Sequence, residues 1–98
     1  METTREIEIE AAPDEVWEAL TTDEGRERWL DEPDREILVE SEDAPHRVVW
    51  WWWRGDEPAT QVEFLVVPVP DGTRVVVTER MPAVPLARLA AAFAPAYA

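Results

Sequence analysis

Residues 48–55 read VVWWWWRG, and four consecutive tryptophans restrict the folds open to this chain more than any other stretch of it. From Arg47 to Arg54 β-branched and aromatic residues dominate, which favours a strand, and the following RGDEP stops it. Successive side chains of a strand point to opposite faces, so two indoles stand on each side of whatever sheet contains them. One pair can be buried by a packed layer. The other pair must be hidden by a different means.

The flanking segments indicate what that layer is. REIEIEAAP alternates Glu6, Glu8 and Glu10 with Ile7 and Ile9, the period of a strand with one wet and one buried face. Pro13 suits the first turn of a helix, Asp14 and Glu15 complement its positive end, and Val16, Trp17 and Leu20 give it an apolar side. Thr21 and Glu24 have capping-box spacing and predict a second short helix running toward Trp29 and Leu30, with Gly25 weakening it. EILVES is a strand, EDAPHR a turn, Thr60–Val69 a strand, and Asp71-Gly72 a hairpin turn into TRVVVTER. After Pro82 and Pro85, LARLAAAFA has helical spacing at Leu86, Leu89, Ala90 and Phe93, and Pro95 ends it. Strand, two short helices, four strands and a helix, in that order, predict an α+β fold with one antiparallel sheet, residues 1–98 forming a single domain.

Composition narrows the function classes. With 22 Asp and Glu against 9 basic residues the net charge is −13, so nucleic acid and anionic membrane surfaces are repelled. The 98 residues have no Cys, which removes disulfides and thiolate metal sites and fits a reducing compartment. METTREIEIE lacks the basic start and apolar core of a secretion signal, and no apolar stretch is long enough to insert into a membrane, so a soluble cytoplasmic protein is expected. All basic residues are Arg, a codon bias that points to a high-GC, bacterial source.

The inventory for catalysis is small. His46 is alone in a turn beside Pro45, and Ser41 is the only serine and lacks a nucleophile-elbow glycine pattern. Asp31, Glu32, Asp34 and Glu36 lack the spacing and glycine of a calcium loop and read as a solvated connection. No metal site and no cofactor are expected.

IEIEAAPDEVWEALTTDEGRERWL followed by VVWWWWRGDEPATQVEFLVVPVPDGTRVVVTE resembles the SRPBCC or START-like helix-grip superfamily, in particular proteins like the activator of heat-shock protein 90 ATPase. The resemblance runs from about Ile7 to Glu79, and its most specific element is the spacing of Pro13, Val16-Trp17, Leu20-Thr21 and Trp29. It implies a curved antiparallel sheet gripping a C-terminal helix on its concave face, with an apolar cavity between them for lipids, polyketides or other hydrophobic ligands. Only LDEPDRE stands where the family carries a longer stretch, and the helix near Leu86 is short, which implies a narrower sheet and a more open cavity.

The family register puts Val48, Trp50 and Trp52 on the inner face beside Val62, Phe64, Val66, Val75 and Val77. Val16, Trp17, Leu20 and Trp29 from the helices and Leu86, Leu89 and Phe93 from the tail complete the implied cavity. The same residues read equally as plain core. The outer face then carries Val49, Trp51, Trp53, Leu65, Val67 and Val76 where a solvated face should be polar, on the order of 300–500 Å² of apolar surface. That suggests a homodimer through the outer face or a sheet edge.

Alternation turns Glu79 inward near the cavity mouth, as a general acid or base or as a strand-end residue paired with Arg54 or Arg80. The sequence therefore supports non-enzymatic binding of a hydrophobic small molecule. The alternatives are a co-chaperone-like or homo-oligomerising interaction module and a cyclase- or hydrolase-like enzyme using Glu79.

Overall fold

The computed structural model describes residues 1–30 and 34–81. The tail bearing Leu86, Leu89 and Phe93, and the helix expected there, lie outside the described residues, as do Asp31 and Glu32. The elements are β1 (Glu2–Ile9), α1 (Pro13–Thr21), α2 (Asp23–Trp29), β2 (Arg35–Asp43), β3 (Arg47–Arg54), β4 (Thr60–Val69) and β5 (Gly72–Arg80). The strands form one antiparallel five-stranded sheet in the order β1-β5-β4-β3-β2. β2 to β5 is therefore a meander, and β1 returns beside β5, pairing Ile7 with Val75 and Ile9 with Thr73.

The two helices sit between β1 and β2 in the chain and cover one face of the sheet. Val16 and Leu20 of α1 are buried against Val48, Trp50, Val62, Phe64, Val66 and Val75. These positions are alternate residues on β3, β4 and β5, as period-two packing requires. Trp50 is fully buried; its ring centre lies 4.6 Å from that of Phe64 and 6.1 Å from that of Trp52. Trp52 is half-buried on the same face, with the Arg35 guanidinium 4.2 Å from its ring centre. The sheet therefore shares its tryptophans between faces as alternation demands.

The turn between the helices differs from the capping box in the sequence by one residue. Thr22, not Thr21, caps α2: its hydroxyl oxygen accepts from the Gly25 backbone N–H at 2.9 Å. Thr21 ends α1 and its hydroxyl donates to the Trp17 carbonyl. A single intervening residue forces the helix backbones close together, and Gly25 is what allows it. A Cβ on Gly25 would collide with the Glu18 carbonyl oxygen and the Ala19 Cα, so the glycine that lowers helix propensity is required by the helix crossing.

A second close approach ties β1 to the β4–β5 turn. A Cβ at Gly72 would meet the Ile9 carbonyl oxygen, and the buried Thr73 hydroxyl donates to the Ala11 carbonyl at 2.8 Å. These contacts set where the chain leaves the sheet to begin α1.

Candidate apolar cavity

α1 lies over β4 and β5 and leaves the apolar side of β1 uncovered. Ile7 is 59% and Ile9 37% exposed, although strict alternation marks them as the buried side of the first strand. The strip and the helix pair border an open cavity of about 480 Å³. Its floor is Ile7 and Ile9 of β1, Val75 and Val77 of β5 and Phe64 of β4. Ala11, Glu15 and Ala19, spaced four apart, form the facing wall with Val16 and Leu20. The small Ala11 and Ala19 leave volume that larger side chains would fill.

Trp29 closes one end. Its indole N–H donates to the Ala19 carbonyl at 2.7 Å, and its ring meets Phe64 edge-on, with centres 6.2 Å apart and planes at 82°. The bond leaves the indole with no donor for a bound molecule. Arg26 lies beneath α1, donating to the Leu20 carbonyl at 3.1 Å, bridging to Asp23 at 2.6 Å and approaching the Trp50 ring to 5.8 Å.

Six of the residues expected to line a cavity do so: Val16, Leu20, Trp29, Phe64, Val75 and Val77. Val48, Trp50, Val62 and Val66 instead form solid core, because the helix pair rests directly on that half of the sheet. Trp17 and Trp52 pack against the edge of the same core. Sequence reasoning did not put Ile7, Ile9, Ala11, Glu15 and Ala19 in a cavity. Ile7 and Ile9 carried a signal, an apolar strand face, but their exposure follows from how narrow α1 is.

Glu79 faces the same side of the sheet but lies beyond the cavity, which ends at Val77. Its carboxylate accepts from Arg5 at 3.2 Å and the side chain is 32% exposed. The partner is Arg5, not Arg54 or Arg80, because β1 pairs with β5 and sets Arg5 opposite Val77, one residue pair from Glu79 on the same face. Glu79 is thus paired with Arg5 and is not among the residues that line the cavity. Among the described residues no cluster of three or more His, Asp or Glu could hold a metal ion, and no helix is long and apolar enough to cross a membrane.

The outer face is less apolar than its residue types suggest. Val49, expected on an exposed patch, is completely buried. It lies between Ser41 of β2 and Glu63 of β4, and Glu63 is fixed over the sheet by Arg47 at 2.6 Å and Arg80 at 3.6 Å. Trp51, Trp53, Leu65 and Val76 are half-buried, and of the six residues expected on this face only Val67 is exposed.

A β-bulge between Val39 and Ser41 directs Glu40 onto this face, where its carboxylate accepts from the Trp51 indole at 2.8 Å and from Gln61 at 3.1 Å. Toward β1 the face is charged: Arg80 donates to Glu2 at 3.0 Å and Arg74 to Glu8 at 2.8 Å. The hydrogen bond to Glu8, with its negative charge, raises the Arg74 guanidinium above its ordinary pKa.

No protein-family model matches the chain, and no curated protein matches it in sequence. Solved structures do match. CalU16 from Micromonospora echinospora superposes with a TM-score of 0.70 at 18% identity, over 87% of this chain and 63% of that one. DynU16, described as a putative protein in the dynemicin biosynthetic locus, gives 0.73 at 22% identity, over 96% of this chain and 42% of that one. The Aha1 dimer from Colwellia psychrerythraea gives 0.68 at 20% identity, over 96% of this chain and 88% of that one. The chain thus spans less than two thirds of the CalU16 and DynU16 chains. At these identities the likeness is one of fold alone: the antiparallel sheet of this chain, with two short helices after its first strand, superposes on these structures.

Proposed function

We propose that the protein binds a hydrophobic small molecule in the cavity between the α1–α2 pair and strands β1, β4 and β5, without catalysing a reaction on it. The observation that carries this is the cavity itself: about 480 Å³, lined among the described residues by aliphatic and aromatic side chains with Glu15 as the one charged member. Ligand pockets typically occupy roughly 300–1,000 Å³ and are lined mostly by apolar groups with few polar ones. The ligand gains from burying its own surface and that of Ile7 and Ile9, which otherwise face water.

The test is native mass spectrometry of protein purified from its host, paired with tryptophan emission during titration with apolar ligands. A co-purifying mass, or an emission change that Ala19→Leu abolishes, is expected. Binding unaffected by filling the cavity would refute the reading.

A second reading, self-association through the β2 edge, has one observation in its favour. β2 is the last strand of the sheet and exposes Leu38 (60%) and Val39 on opposite faces beside unpaired backbone groups. The Colwellia protein, which is described as a dimer, is a structural neighbour. Light scattering after size exclusion tests this: Leu38→Lys should convert a dimer to a monomer, and a wild-type monomer at high concentration rules the edge out.

A further inference from the structure

We propose that the cavity selects cationic or neutral amphiphiles and rejects carboxylates, with Glu15 as the residue that sets this preference; the inference rests on the cavity reading above. Among the described residues the lining offers a bound molecule no free hydrogen-bond donor and no positive charge. The Trp29 indole N–H is committed to the Ala19 carbonyl, and the nearest arginine along β1, Arg5, lies outside the lining and bridges to Glu79. An acid head group would therefore find no partner in the lining, and at the rim it would meet the like charge of Glu15.

Glu15 is different in kind. It projects from the first turn of α1 at the exposed rim of the cavity, and among the described residues its carboxylate has no ion-pair or hydrogen-bond partner. An ammonium head group at the rim would meet this carboxylate while its apolar tail lies over Ile7, Ile9 and Val75. The protein's net charge of −13 acts in the same sense on approach, attracting cations and repelling anions.

The experiment compares three probes with one tail, decylamine, decanol and decanoate, titrated calorimetrically near neutral pH. The proteins are the wild type, Glu15→Gln and Glu57→Gln, the last in the β3–β4 turn away from the cavity. Decylamine should bind about tenfold more tightly than decanoate, and Glu15→Gln should reduce the preference for amine over alcohol about threefold, as an exposed ion pair permits. Glu57→Gln should leave that preference in place, and far-UV circular dichroism verifies that both variants are folded.

Decanoate binding as tightly as decylamine overturns the proposal. So does an amine-to-alcohol ratio unchanged by Glu15→Gln, or one that falls equally in Glu57→Gln. In each of these cases decanol binding leaves the cavity reading intact. If none of the three probes binds, the cavity reading fails and this proposal fails with it.

Discussion

The Trp51 indole N–H donates to the Glu40 carboxylate at 2.8 Å across the outer face, and Glu40 reaches it because β2 bulges between Val39 and Ser41. This bond is how the chain accommodates an outward-facing tryptophan without leaving a bare patch. Trp51 is half-buried, and its one donor is satisfied by a charged acceptor that also takes Gln61. A double-mutant cycle of Trp51→Phe and Glu40→Gln should give a coupling energy of about 0.5–1.5 kcal/mol in urea unfolding. Strict additivity would show that the bond has no net value.

Val49 and Val67 are outward-facing valines on adjacent strands, yet one is completely buried and the other exposed. Val49→Asp places a charge under Glu63 and Trp51 with no partner and should cost more than ~3 kcal/mol, enough to prevent soluble expression of so small a domain. Val67→Asp should change stability by no more than ~0.5 kcal/mol. Urea midpoints of the two variants check this. Equal tolerance at both positions would mean that the outer face is open over its whole width.

The contrast between those two valines shows what was legible in the sequence. Period two placed Trp50 and Trp52 on one face and Trp51 and Trp53 on the other, and the helix-facing pair does pack with the core. Period says which side a residue faces, and says nothing about what lies above it. Val49 is completely buried between Ser41 and Glu63 on the neighbouring strands. Ile7 and Ile9 are exposed because, among the described residues, α1 packs toward β4 and β5 and not over β1. The bulge at Glu40 was invisible for another reason: Ile37, Leu38 and Val39 are three apolar residues in a row, so EILVES has no alternation in which a shift could be read. The cavity's small wall residues, Ala11 and Ala19, carry no local signal; they matter only once β1 is known to lie beside β5.

Glu79 should prove unimportant to binding. It is held by Arg5 at 3.2 Å in a solvent-exposed pair outside the cavity, and exposed ion pairs contribute little because water and salt screen them. Glu79→Gln should lower stability by less than ~1 kcal/mol and leave the affinity for any cavity ligand unchanged. A tenfold loss of affinity in that variant, measured by the same titration as the wild type, would return Glu79 to the site.

Gly25→Ala offers the strongest test of how the helices are set. At an ordinary helix position the change stabilises by about 1 kcal/mol, because alanine has the better propensity. Here the new methyl meets the Glu18 carbonyl oxygen and the Ala19 Cα, backbone atoms that cannot rotate aside, so α2 must move away from α1. Overpacking of this kind costs about 1–3 kcal/mol. The displacement also pulls on Trp29, which is anchored to the Ala19 carbonyl and closes the cavity against Phe64. The variant should therefore lose both stability and cavity affinity. Thr22→Ala, which removes the cap on Gly25 and the hydroxyl's bond to the Glu18 carbonyl without adding bulk, should cost about 1 kcal/mol and leave binding near the wild-type level. Thermal unfolding and ligand titration of the two variants together separate a fault in helix crossing from a loss of helix capping, and a stabilised Gly25→Ala would show that the helices are not in contact there.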